Sequence, residues 1–341
     1  MTVTMDQCKR CGDAAVTSSR GEHFCRACFI KFVQFRHRKQ LEKFKVDYSE
    51  PRPPDQHIML ALSLGQSSIA LLDMCMDLIR LQKSTHRGRQ GFYLHAIHVC
   101  GSEDEEAKQR LDKVRERYPE LESLELVALD YSKATEGISS INRTSTQDIT
   151  WLLQKQAIEE AAQKHGCQTT IYGHCQTRLA QLVLSLTAKG RGRSIVDEVE
   201  AHCPIREVLY TEVGEYNKLK QVEDLILPEA PIPATTKLQS VDDLVHQYFL
   251  SVEKEYPSVV STVVRTASKL QKPGNGGQEK CIICEQPIEN RDWLEHITVN
   301  GPETAGQDLC YGCMVMLKGT NTRPRYSKDL VLQEFALDND N

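Results

Sequence analysis

His57-Ile58-Met59-Leu60-Ala61-Leu62-Ser63-Leu64-Gly65-Gln66-Ser67-Ser68 reads as an apolar strand running into a turn of small residues. Such a near-continuous apolar run belongs to a strand buried on both faces. Beyond the turn, Leu71, Leu72, Cys75, Leu78 and Ile79 recur at helical spacing. The same alternation continues outward. Phe92 to Val99 is the next strand, and Ser102-x-x-Glu105 predicts a capping box that opens a helix reaching about Tyr118. Leu124 to Leu129 is a third strand. A helix from about Thr146 to His165 places Leu153, Ala157, Ile158, Ala161 and Ala162 on one face, and Gly166 suits its end. Thr169 to Tyr172 is a fourth strand, and Thr177 is expected to cap a helix ending before Gly190. Strands and helices alternating at this spacing predict an α/β body, a parallel sheet covered by helices, with ligands bound beyond the carboxyl ends of its strands.

The chain has 341 residues, 40% of them hydrophobic and 26% charged, enough for a substantial buried core. Mean hydropathy is −0.44, and no apolar run has the length needed to span a bilayer, so an integral membrane protein is not expected. Met1 to Arg10 has no cationic start followed by an apolar stretch, so no secretory signal is expected either.

Thirteen cysteines exceed ordinary core use, and their odd number argues against a closed disulfide set. Eight form four C-x-x-C pairs: Cys8/Cys11, Cys25/Cys28, Cys281/Cys284 and Cys310/Cys313. The others, Cys75, Cys100, Cys167, Cys175 and Cys203, are scattered. A C-x-x-C turn presents two sulfurs on one knuckle, and two facing knuckles complete a tetrahedral thiolate site, so zinc is expected at both ends. The first unit is too short to fold on apolar contacts alone and would draw its folding energy from the metal. Redox-active pairs are the competing interpretation, and spacing does not decide whether the ends form two sites or share ligands. The expected organisation is a ribbon and basic helix over 1–45, an α/β body over 55–270, a second ribbon over 278–320 and a tail over 321–341. Lys272-Pro273-Gly274-Asn275-Gly276-Gly277-Gln278 serves as the linker before the second ribbon.

Net charge is −5, unevenly distributed: residues 1–45 carry ten Lys/Arg against four Asp/Glu, +6, which leaves −11 for the rest. Phe29 to Lys45 reads as a helix that interleaves Lys31, Arg36, Arg38, Lys39, Lys43 and Lys45 with Phe29, Phe32, Phe35 and Phe44. Cations along one element suit phosphates without reading sequence. A solvated helix packing its phenylalanines on the body is the bland alternative, and the two are compatible. Lys189, Arg191 and Arg193 on a Gly-rich loop after a helix form a second basic spot, with a flexible surface loop as the bland alternative. Ser63, Gly65, Ser67 and Ser68 between strand and helix suit a phosphate cradle, where free N–H groups and the helix dipole point at an anion, although an ordinary turn into a helix has the same composition.

That loop resembles a degenerate PP-loop, the Ser-Gly-Gly-x-Asp-Ser signature of ATP pyrophosphatases. Gly173-His174-Cys175-Gln176-Thr177-Arg178-Leu179-Ala180 falls where PP-loop tRNA thiolases carry Gly-His-Asn-x-Asp-Asp-x-Ala. Together with Cys8-Lys9-Arg10-Cys11-Gly12, Phe24-Cys25-Arg26-Ala27-Cys28-Phe29, Gly190-Arg191-Gly192-Arg193 and Pro204-Ile205-Arg206, these stretches make nearly the whole chain similar to the cytoplasmic tRNA 2-thiolation protein 2 family, the partner subunit of the eukaryotic wobble-uridine thiolase. The resemblance implies an adenine nucleotide alpha-hydrolase-like body flanked by N- and C-terminal zinc ribbons. It also implies a heterodimer with a catalytic PP-loop thiolase subunit, tRNA as partner and a cytoplasmic location. The reaction it implies is 2-thiolation of uridine 34 in the tRNAs for Lys, Glu and Gln. Sulfur would come from a thiocarboxylated ubiquitin-related modifier, with a link to protein conjugation of that modifier.

The departures from the family's active pattern bear on mechanism. Leu64 stands for the first loop glycine, where its side chain is expected to intrude on a phosphate. Ser67 stands for an aspartate suited to the magnesium of ATP, and Thr177 and Arg178 for two more carboxylates. Where active relatives carry a C-x-x-C before the long helix, Ser139-Ser140-Ile141-Asn142-Arg143-Thr144-Ser145 has no cysteine. A chain without catalytic groups of its own is therefore expected, with tRNA met by Lys31, Arg36, Arg38, Lys39, Lys43, Arg191 and Arg193. Whether nucleotide still binds is left open. The alternative is a self-sufficient ATP-dependent tRNA sulfurtransferase using Cys203 or Cys175 as its thiolate. A third, weaker option is a zinc-ribbon adaptor unrelated to RNA.

Overall fold

The computed structural model describes residues 7–51, 54–101, 104–129, 142–229, 231–271, 279–288 and 309–318. The linker 272–278 and the tail 321–341 lie outside the described residues, as do Ser102 and Ser139 to Ile141. Four strands, β3 (His57–Ala61), β4 (Tyr93–Gly101), β5 (Ser123–Leu129) and β6 (Thr169–Tyr172), form one parallel sheet in the order β5-β4-β3-β6. The register sets His57 beside Tyr93, Ile58 beside Thr169 and His95 beside Ser123. The apolar run Ile58-Met59-Leu60 lies at the centre and is fully buried, as its composition predicts. The chain builds outward from β3 through β4 to β5, then returns to lay β6 on the other side of β3. That reversal makes the gap between the ends of β3 and β6 a topological switch point.

Helices α2 (Gln66–Thr85), α3 (Glu105–Arg117), α4 (Arg143–Lys164) and α5 (Gln176–Ala188) follow the strands in turn. Two caps differ from expectation. Asp104, not Ser102, caps α3, accepting from the amides of Glu106 and Ala107 at 3.0 and 3.2 Å. Cys175, not Thr177, is the last extended residue before α5. Thr177 lies two residues further on, inside the first turn, where its hydroxyl donates to buried Glu253 and accepts the Tyr210 amide at 3.1 Å.

The N-terminal unit is a short hairpin, β1 (Thr17–Ser19) and β2 (Glu22–Phe24), followed by α1 (Arg26–Gln40). Phe24, Phe29, Phe32 and Val33 belong to the same buried cluster as Ile58, Leu60, Leu71 and Cys75, so this unit shares the body's core. Four further helices, α6 (Ser194–Glu200), α7 (Tyr210–Lys220), α8 (Val241–Glu255) and α9 (Pro257–Ala267), complete the body. The last helix among the described residues, α10 (Tyr311–Lys318), carries Cys313 and packs with Cys281, Ile288 and Leu309 against Ile149 of α4. Among the described residues no helix is long and apolar enough to cross a membrane.

Candidate metal centres and the cavity at the sheet switch point

Cys8, Cys11, Cys25 and Cys28 converge, and so do Cys281, Cys284, Cys310 and Cys313; in each group all four sulfurs lie within 4.8 Å of one another. Each end therefore closes on itself. Cys11 and Cys25 Sγ are 3.5 Å apart, as are Cys284 and Cys310. One ion with four thiolates at about 2.3 Å spaces its sulfurs about 3.8 Å apart, so both groups fit a single tetrahedral metal. A four-iron cubane, with each cysteine on a different iron, would spread them further.

At the switch point a cavity of about 400 Å³ opens between the ends of β3 and β6, lined by Ser63, Gly65, Ser67, Ser68, Gly173 and His174 among others. Ser63 and Ser68 hydroxyls are 3.1 Å apart, and Ser68 donates to the Gly65 carbonyl at 3.0 Å. A Cβ on Gly173 would stand 2.8 Å from Ser68 Cα, so only glycine lets β6 approach the start of α2 this closely. Leu64 does not intrude. Its backbone adopts the left-handed conformation (φ +59°) that favours glycine, and its side chain, fully buried, turns into the core.

The cavity's carboxylates are all engaged. Glu198 accepts from Lys155 at 2.7 Å, Asp242 pairs with Lys189 at 3.2 Å, and Glu229 lies 3.8 Å from Arg178. No cysteine lines the cavity among the described residues. Ser67 Oγ makes no full hydrogen bond and lies beside the Cys175 thiol. His98 Nδ1 donates to the Leu62 carbonyl at 2.8 Å, which leaves Nε2 a buried acceptor without a partner. Burial, with Arg178 and Lys155 nearby, holds His174 neutral at about 4. Burial likewise pushes the Cys175 thiol up and the Cys203 thiol to about 12, and both are almost fully enclosed. Neither supplies a thiolate near neutral pH.

Lys31, Arg38 and Lys39 of α1 and Lys43 of the following turn are exposed, while Phe29, Phe32 and Phe44 are buried. Arg36 is half-buried, its guanidinium 3.7 Å from the Phe32 ring centre. Phe35 departs from the pattern: it is 69% exposed. Lys39 lies 3.8 Å from Glu207, and Lys43 is 2.9 Å from His202 Nε2. Arg193 is half-buried. Arg191 is 4% exposed, which corrects the expectation that it meets tRNA from an open loop. Its Nε donates to Asp148 at 2.6 Å and its two terminal nitrogens to Cys313 Sγ and Met316 Sδ. Spacing gave no hint of this, because Asp148 lies on a different helix.

The sequence model of a family described as "Cytoplasmic tRNA 2-thiolation protein 2" matches residues 240–307. The cytoplasmic tRNA 2-thiolation protein 2 of Yarrowia lipolytica is 32% identical over 97% of this chain and 99% of its own length. The chain belongs to the cytoplasmic tRNA 2-thiolation protein 2 family. A second member of that family, from Pyrenophora tritici-repentis, is also 32% identical, over 90% of this chain and 93% of its own. Among solved structures, the U34-tRNA thiolase NcsA of Methanococcus maripaludis, determined with its 4Fe-4S cluster, covers 95% of this chain and 100% of its own. Its TM-score of 0.63 at 17% identity establishes a shared fold. The family and this fold agree with the PP-loop-like parallel body and its two four-cysteine ends.

Proposed function

We propose that this chain is a non-catalytic subunit of a cytoplasmic tRNA 2-thiolation complex. The observation that carries this reading is the cavity at the switch point. It is lined by Ser63, Gly65, Ser67 and Ser68 of the turn into α2, but among the described residues no cysteine reaches it and each lining carboxylate already faces a cation. Activating a base oxygen with ATP and delivering sulfur requires a divalent ion on the phosphates and a reactive thiolate. Both would come from a catalytic PP-loop partner in a heterodimer. The modified base is uridine 34 of the tRNAs for Lys, Glu and Gln, and the sulfur donor a thiocarboxylated ubiquitin-related modifier, with a link to its conjugation to proteins. The exposed cations of α1 and the following turn, with Arg193, contribute tRNA contacts. Zinc fills the two four-cysteine sites, where four thiolates in a compact tetrahedral array favour it, and stabilises the ends of the chain.

Incubating the purified chain with ATP, magnesium, tRNA and a sulfur donor tests this reading. AMP release and 2-thiouridine should appear only when the partner subunit is added. Robust turnover by this chain alone, abolished by Cys203→Ser, would overturn it in favour of the self-sufficient enzyme.

A further inference from the structure

The loop between α5 and α6 is built around the C-terminal cysteines. A Cβ on Gly190 would lie 2.5 Å from the Tyr311 ring, and one on Gly312 2.5 Å from Arg191 Cγ. Glycine at both positions leaves room for the Tyr311 ring and the Arg191 side chain where the loop meets the start of α10. Into that contact Arg191 projects a guanidinium whose Nη1 lies 3.4 Å from Cys313 Sγ and whose Nη2 lies 3.3 Å from Met316 Sδ. Asp148 takes Nε at 2.6 Å, and Lys189 reaches the other Asp148 oxygen at 3.1 Å. Asp148, Lys189 and Arg191 are all buried or nearly so. Four thiolates around a dication carry two excess negative charges, and N–H donors to the sulfurs are how a protein offsets such charge and fixes the ligand's orientation. A guanidinium is suited to this role because its planar fork can donate to a carboxylate and a sulfur at once, which an ammonium does less well.

We propose that Arg191 is a positioning residue of the C-terminal metal centre: it donates to the Cys313 thiolate and, through Asp148, ties that centre to α4. The proposal rests on the C-terminal cysteines holding a metal. It reaches beyond stability because α4 serves two sites. Asp148 holds Arg191, and less than two turns on, Trp151 and Lys155 line both the switch-point cavity and a second cavity of about 460 Å³ beside Cys284. The metal centre thereby braces one wall of the switch-point cavity.

The test uses the full zinc-loaded chain with Arg191→Gln and the conservative Arg191→Lys. Each is treated with EDTA and N-ethylmaleimide, and cysteine labelling is followed by mass spectrometry. Cys281, Cys284, Cys310 and Cys313 should label roughly 10- to 100-fold faster in Arg191→Gln, less so in Arg191→Lys, while Cys8, Cys11, Cys25 and Cys28 keep their parent rate as an internal control. In cobalt-loaded protein, loss of the charged guanidinium donor should move the sulfur-to-cobalt charge-transfer band of the C-terminal site to lower energy in Arg191→Gln, and by less in Arg191→Lys. Unchanged C-terminal labelling, equal acceleration at both ends, or an unshifted cobalt band would overturn the proposal. A parent chain with metal at the N-terminal cysteines alone would remove the metal reading first, and this inference with it.

Discussion

The carbonyl oxygen of Leu64 accepts the backbone N–H of Leu227 at 2.8 Å. That bond helps hold a left-handed leucine at the turn between β3 and α2, where glycine would sit without strain. Strain of this kind costs about 1–2 kcal/mol. Burying the side chain fully in the core offsets it, since truncating a buried leucine typically loses about 2–5 kcal/mol. Leu64→Gly should therefore destabilise the chain by about 1–3 kcal/mol in urea unfolding. A variant more stable than the parent would show that the strain dominates.

Ser67→Asp should not create catalysis. The new carboxylate would stand in a nearly buried position beside Cys175, and the cavity would still lack a thiolate. AMP release by the isolated variant is expected to stay at background. Measurable turnover would mean that one missing carboxylate was the whole defect.

Removing one ligand should empty one site and leave the other. Cys8→Ser or Cys25→Ser is expected to lose one of two metal equivalents by elemental analysis, unfold the N-terminal hairpin and weaken tRNA binding. Cys313→Ser should lose the other equivalent. Full metal content in any of these variants would contradict the four-cysteine assignment.

Reversing the charges of Lys31, Arg38 and Lys39 together should weaken tRNA binding. It should also flatten the log–log salt dependence by about 0.7–0.9 for each phosphate that the variant no longer neutralises. These side chains are exposed, so the melting temperature should barely move. Unaltered affinity would favour an adaptor that does not touch RNA.

Acid should destabilise the fold before most carboxylates titrate. Burial lowers His37 to about 3 and His95 to about 4, and His174 is likewise about 4. Each is neutral when folded yet binds a proton near pH 6.5 when unfolded. Their stabilisation is complete above pH 6.5 and falls as pH drops toward 4, by up to roughly 1.4 kcal/mol per pH unit for each group. Urea midpoints measured from pH 7 to pH 4.5 should decline accordingly, and a flat profile would exclude charge-free imidazoles as the cause.

The strands and helices from residue 57 to 188 were legible because their signals are local: an apolar run, a helical repeat and small residues at turns. The boundaries shifted where a neighbour competed. Asp104 caps α3 two residues later than Ser102 would have, and Thr177 turns from capping to Glu253 and Tyr210. Beyond Gly190 the signal is equally local in α8, where Val241, Leu244, Val245, Tyr248, Phe249 and Val252 recur at helical spacing, whereas the loop arginines looked exposed.

By itself the sequence determined the alternating body, the two cysteine knuckles at each end and the carboxylate-free turn from Ser63 to Ser68. Those properties depend on residue identity within a few positions. Tertiary structure decided that the ends form two closed sites, that Leu64 turns inward, and that Arg191 faces a cysteine cluster instead of open solvent. Arg191 meets Asp148 across 43 positions and Cys313 across 122. The environment of a charged side chain, open water or a buried carboxylate and a sulfur, is set by such distant partners once the chain has packed, and no local pattern encodes it.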